Sequence, residues 1–138
     1  MQQPLRQLQA LYTGYIQQCR RLSINAPYGA GILSPARDPR HHPCHREFYD
    51  AVGQLISGWV LNPPEEVEQI IRYMLETPYF YANEDSCWYL FAVQSHAKLL
   101  IPLLDRDSSV SVCDWFSRLV PKTQRLPVQE EILNLFMK

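Results

Sequence analysis

Long apolar runs are missing from this chain. Its longest strongly apolar stretch, Lys98-Leu99-Leu100-Ile101-Pro102-Leu103-Leu104, falls far short of the ~20 residues a transmembrane helix needs. The opening MQQPLRQLQALY shows no apolar core of the kind a signal peptide carries, so a cytoplasmic location is expected. Glycine is scarce, at five residues. The one closely spaced pair, Gly29-Ala30-Gly31, is followed by no Lys-Ser or Lys-Thr and preceded by no strand pattern, which excludes a phosphate-binding loop. No segment alternates apolar and polar residues convincingly, so strands are not expected. The glutamates Glu65, Glu66, Glu68 and Glu76 have no histidine at three-residue spacing, and the carboxylate pattern of di-iron bundles is therefore absent.

Cysteine is present but unpaired in pattern. Cys19, Cys44, Cys87 and Cys113 are widely spaced, and a chain of 138 residues buries enough surface to fold without cross-links. Buried thiols on apolar helical faces are expected instead.

The composition that remains is 46% hydrophobic, 12% aromatic and 20% charged, which is too apolar for a disordered chain and ordinary for a globular one. A single helical domain over 1–138 is expected. The formal charge of -1 conceals an uneven spread: residues 1–47 hold six arginines against Asp38 and Glu47, whereas residues 48–107 hold nine acids against Arg72, Lys98 and Arg106. Such polarity either holds the two halves of one fold together or offers a basic surface to an acidic partner.

Apolar positions at Leu5, Leu8, Leu11, Tyr12, Tyr15, Ile16, Cys19 and Leu22 recur at three and four, the stripe of an amphipathic helix. Between 23 and 42 the period dissolves among Pro27, Gly29, Gly31, Pro35 and Pro39, which predicts a long irregular loop. A second helix is predicted from Pro43 through Val60, with Gly53 and Gly58 allowing close approach of a neighbour. A third should begin with Asn62 as N-cap and Pro63 in the first turn and stop at Thr77-Pro78. A fourth, capped by Asn83 or Asp85, should run from Cys87 to about Ile101 and, being apolar nearly all round, lie at the centre. A fifth is predicted from Ser109 or Ser111, the latter in a Ser111-x-x-Asp114 box, and a sixth from Pro127 to the chain end. The fold class is all-α: about six helices in a compact orthogonal bundle or a short α-solenoid-like array of helical hairpins.

Chemistry concentrates in His41-His42-Pro43-Cys44-His45-Arg46-Glu47. His41, Cys44 and His45 at three- and four-residue spacing are acceptable ligands for zinc, although the remaining donors must come from Cys19, Cys87, His96 or Cys113, distant in sequence. A thiol in the first turn of a helix also has its thiolate favoured by the dipole and by an adjacent imidazolium, so Cys44 is a candidate nucleophile with His41 or His45 as base. No oxyanion site or third orienting group accompanies it. Arg20, Arg21, Arg37, Arg40 and Arg46 with Tyr28 form a basic N-terminal third that offers weak nucleic-acid binding, against an acidic overall balance. Tyr79, Phe80 and Tyr81 are expected in a loop, where three aromatics either cover the bundle end or form a contact surface. The reading that follows by elimination is a non-enzymatic protein-interaction module, a small adaptor, regulator or inhibitor of a protein partner, contacting it through Tyr28, Arg37, Arg40, Tyr79, Phe80 and Tyr81. The alternative is a metal-binding or reactive-thiol protein centred on His41, Cys44 and His45.

Overall fold

The apolar stripe on the first helix sets the first packing layer. Leu8, Tyr12, Tyr15, Ile16 and Cys19 are all buried on one side of α1, Pro4–Asn25, while Gly14 stands on the open side. The computed structural model describes residues 3–25, 42–81 and 87–137, and these form six α-helices with short 3₁₀ segments and no strand. The remaining helices are α2 (Pro43–Leu61), α3 (Val67–Phe80), α4 (Tyr89–Val93), α5 (Arg106–Leu119) and α6 (Pro127–Phe136). The all-helical packing agrees with the expected class. None of the described helices is long and apolar enough to cross a membrane. Most of the expected 23–42 loop, with Tyr28, Arg37, Arg40 and His41, lies outside the described residues, as do Asn83 and Asp85.

Helix α2 begins as predicted, with Pro43 in its first turn and His42 as N-cap. Its end differs from expectation. Asn62 does not open the next helix; its N–H donates to the Gly58 carbonyl at 3.0 Å and closes α2. Residues 63 and 64 are irregular, 65 and 66 form a turn, and the Glu66 carbonyl starts α3 by accepting the Ile70 N–H at 3.0 Å. The Glu66 carboxylate also accepts the Leu5 N–H, at 3.4 Å, so an acid from the start of α3 satisfies an amide in the first turn of α1.

Pro78 was expected to stop α3, yet the helix continues to Phe80. Proline removes a single N–H, and this close to the helix end only the last turn bears that loss. Tyr79 and Phe80 are consequently helical, not loop residues. The Thr77 hydroxyl donates to the Tyr73 carbonyl at 2.6 Å within the same turn.

The predicted fourth helix is central but only its first turn is α-helical. After α4 the chain tightens into 3₁₀ conformation over Gln94–Leu99 and again over Ile101–Leu103. Leu90, Val93, Gln94, Ala97 and Leu100 are fully buried, and the Gln94–Leu99 segment touches α2, α3, α4 and α6. The buried amide of Gln94 makes this tightening specific: its Nε2 donates to the Leu75 carbonyl (3.1 Å), and its Oε1 accepts from Gln129 Nε2 (3.0 Å). Gln129 Oε1 in turn accepts the Leu126 N–H at 2.7 Å, capping α6.

Helix α5 starts before the predicted serines. Asp105 is its N-cap, the carboxylate accepting the Ser108 N–H at 2.7 Å and held below the usual carboxylate range by that bond. Ser111 lies inside the helix, where it accepts from Arg72 at 3.1 Å, and Asp114 pairs with Arg118 instead of forming a box. Across the opposite layer Tyr15 stacks on Phe48 with centroids 4.1 Å apart, and Tyr12 meets Phe48 edge-on at 5.3 Å and Tyr73 at 5.0 Å, fastening α1 to α2 and α3.

Of the two glycines expected to admit a neighbour, only Gly53 does. A Cβ there would lie 3.1 Å from His96 Cε1, and that ring is pinned by a 3.1 Å hydrogen bond to the Tyr49 carbonyl. At Gly58 and Gly14 a Cβ meets nothing within 4 Å. Gly58→Ala and Gly14→Ala are each expected to raise stability by about 0.5–1 kcal/mol through helix propensity. Gly53→Ala should lose that gain to displacement of His96; denaturant midpoints for the three variants check the ordering. Gln94→Met keeps the volume but leaves the Leu75 carbonyl and the Gln129 amide buried without it, at about 1–3 kcal/mol for each group. A Gln94→Met midpoint equal to wild type contradicts the structural weight given to this amide chain.

Candidate functional site

The helix start that holds the histidine and cysteine cluster is taken apart by its own geometry. His42 Nδ1 accepts the Cys44 N–H at 3.1 Å and serves as a cap. Arg46 points out to solvent and pairs with Asp50, one helical turn on, at 3.3 Å. Cys44 and His45 turn inward and are 3% and 2% exposed. His41 lies outside the described residues, so the proposed ligand trio is described only in part. Among the described residues no group of three or more His, Cys, Asp or Glu side chains has an arrangement that holds a metal ion.

Cys44 has the opposite electrostatics to those a nucleophile at a helix start requires. Burial, followed by the negative charges that Cys19 and Glu47 bring, pushes its thiol up to about 11. The helix dipole does not reverse this, because the sulfur sits in the core.

His45 instead joins a cluster whose other members come from distant parts of the chain. Its Nδ1 lies 2.8 Å from the Tyr15 hydroxyl on α1. Cys19 lies one turn further along α1 on the same buried face. The influence of Cys87 foremost, with those of His45 and Tyr15, holds the Cys19 thiol below the usual thiol range in spite of its burial. Burial foremost, and then the neighbouring Cys19, pushes the Tyr15 hydroxyl well above the phenol range. Trp88 and Tyr89 close the site over His45, with ring centroids at 5.3 and 5.7 Å. Tyr15, Cys19, His45 and Cys87 are each no more than 3% exposed, and the Tyr15 hydroxyl and the His45 ring share a hydrogen bond within this buried region. In the sequence Cys19 and Cys87 stood as widely separated thiols and as distant donors that a metal site at His41, Cys44 and His45 would need. Their one local signal is the position of Cys19 four residues after Tyr15 on the buried stripe.

The aromatic trio at the end of α3 is divided. Tyr79 packs edge-on against Phe91 at 5.7 Å, and Tyr81 lies beneath the Arg20 guanidinium at 5.7 Å. Phe80 alone projects, with 74% of its surface exposed.

A second concavity opens between the Ile101–Leu103 segment, α5 and α6. This groove, about 1200 Å³, has Ile101, Leu104, Val110, Leu133 and Phe136 along it, with Met137 at one end. Val110 and Met137 are 62% and 78% exposed. Charge is confined to a few lining side chains, among them Arg106, Asp114 and Arg125. Arg125 is held in place, donating to the Val120 carbonyl at 3.0 Å and pairing with Glu130 at 3.6 Å. Cys113 borders the groove with its thiol raised, chiefly by burial.

Comparison with known proteins adds no relative: no protein-family model matches the chain, and neither the curated proteins nor the solved structures contain a significant match.

The inverted electrostatics of Cys44 have a direct chemical consequence. Alkylation of Cys44 near neutral pH is expected to run at least about tenfold slower than that of an unhindered peptide thiol. The rate should climb as pH rises toward 11, because the reactive thiolate appears only above the raised pKa. Peptide mapping after timed iodoacetamide exposure measures this, and rapid selective labelling of Cys44 at pH 7 contradicts it.

Proposed function

We propose that this protein is a non-enzymatic interaction module whose groove between α5 and α6 takes the apolar face of a partner protein's amphipathic helix. The observation that carries the reading is the groove itself: a long apolar channel flanked by two helices, with Val110 and Met137 held out in water at its edge. Apolar side chains lining a concavity with charges at a few fixed points are the ordinary design of a helix-binding cleft. Arg106 and Arg125 favour a partner helix that carries acidic residues beside its apolar stripe. Phe80 supplies an exposed aromatic, and Tyr28, Arg37 and Arg40, which lie outside the described residues, stay contact candidates on their sequence alone.

Affinity capture with the tagged protein, run beside Val110→Glu and Phe80→Ser, tests the assignment. Val110→Glu is expected to weaken capture of the specific partner at least about tenfold, since it places a carboxylate on an apolar contact. Phe80→Ser should have a smaller effect. A partner retained equally by wild type and Val110→Glu removes the groove from the interface, and a partner lost only on charge reversal at Arg37 and Arg40 moves the interface to the basic segment.

A further inference from the structure

The wall that α5 turns toward the groove is ordered by charge. Arg106, Val110 and Asp114 follow one another at four-residue spacing, and all three line the concavity. Four residues are about 6 Å of helix rise, so a positive end and a negative end stand about 12 Å apart with an apolar residue midway. Val110 is 62% exposed. Arg106 makes no ion pair among the described residues. Asp114 is bridged by Arg118 at 2.9 Å through Oδ2, and its carboxylate keeps a second oxygen for another donor. Ser109, Cys113 and Ser117 line the same wall without bulk, which leaves room for a second helix to lie against α5. A stripe of this order is complementary to itself when turned end for end.

We infer that the groove is covered by a second copy of this chain, docked α5 against α5 and antiparallel about a two-fold axis at Val110. On that axis the two Val110 side chains meet, and Arg106 of each copy faces Asp114 of the other, so one contact closes two ion pairs. Parallel docking sets Arg106 against Arg106 and Asp114 against Asp114, and the pattern opposes it. Met137, 78% exposed at the end of the groove, adds apolar surface that the second copy removes from water. The inference rests on the reading of this groove as a docking surface and names an occupant for it, since α5 is itself a helix that sets an acid one turn from an apolar contact. The contact is small and its ion pairs lie near water, which makes the dimer weak and dependent on concentration. A partner helix must displace the second copy, and dilution frees the groove.

Sedimentation equilibrium of the full chain under reducing conditions, from about 5 μM to about 500 μM, covers the range of weak association. The mass should rise from monomer to dimer. Arg106→Asp alone and Asp114→Arg alone each set like charges opposite one another at both contacts and should weaken the dimer at least about tenfold. Mixed in equal amounts, the two variants bring opposite charges together again, and a dimer holding one of each should form with about wild-type affinity. Recovery in the mixture also shows that both variants are folded. Val110→Glu places two carboxylates on the axis and should stay monomeric. A wild-type chain that is still monomeric at about 500 μM overturns the inference. So does a dimer that Arg106→Asp and Asp114→Arg leave unchanged, or one that mixing fails to restore. The partner reading is decided apart from this, by capture at concentrations where the chain is monomeric. A monomeric wild type whose capture is lost in Val110→Glu removes the second copy alone, whereas a charge-restored dimer that captures nothing through the groove removes the partner helix alone.

Discussion

A chain of two glutamine amides holds the centre of this molecule in register. From the Leu75 carbonyl through Gln94 and Gln129 to the Leu126 N–H, three hydrogen bonds link α3, the central 3₁₀ segment and the start of α6. Gln94 and Gln129 are 0% and 1% exposed, so water offers no alternative partner to any group that loses its mate. Sliding the central segment by one residue would turn Gln94 roughly 100–120° away from Gln129 and put an aliphatic residue against two unsatisfied amides. The core around it is apolar and tolerant of small shifts; the amide chain is not. It also places the groove, because docking α6 through Gln129 fixes where Leu133 and Phe136 stand relative to α5.

The second buried polar group is built by the same rule from different chemistry. The Tyr15 hydroxyl on α1 and the His45 ring on α2 share a buried hydrogen bond, and the aromatic seam of Tyr12, Phe48 and Tyr73 fastens the helices that carry them. Amides keep one protonation state throughout the range in which the protein folds. Imidazole and phenol do not, so this pair stores a choice of proton position where the glutamine chain stores none. A buried titratable network at one place and a buried neutral one at another is a division between chemistry and register.

How much of this the sequence exposes depends on whether the deciding contact is local. The stripe of α1, the proline start of α2 and the start of α6 at Pro127 are local and were legible. Asn62 and Pro63 read equally well as a helix start, and the fact that Asn62 closes α2 rests on Gly58 offering its carbonyl first. Asp105 went unread because Ser109 and Ser111 compete for the same role, and only the Asp105 to Ser108 bond decides between them. A segment apolar nearly all round cannot signal whether it turns every 3.6 or every 3.0 residues, so the 3₁₀ geometry after Val93 was hidden. The histidine and cysteine cluster was visible as adjacency, but adjacency chose Cys44 as the thiol. Tyr15 is the partner the fold supplies to His45, from a helix 30 residues upstream, and no spacing rule reaches that far.

Residues 87–104 run between the two places where this structure carries chemistry or open apolar surface. The segment leaves the buried His45 ring at Trp88 and Tyr89 and arrives at the groove with Ile101 and Leu104. Continuity along the chain is not itself coupling; transmission requires an element with two arrangements that both ends bias. Gln94 stands midway and is clamped from α3 on one side and α6 on the other, with its amide oxygen and nitrogen both engaged. A fully satisfied buried amide chain opposes a second arrangement, because any rotation of Gln94 exposes two orphaned groups to an apolar core. The central segment therefore acts as a strut: it positions the aromatic cover of His45 at one end and the groove wall at the other, and holds each to its own geometry.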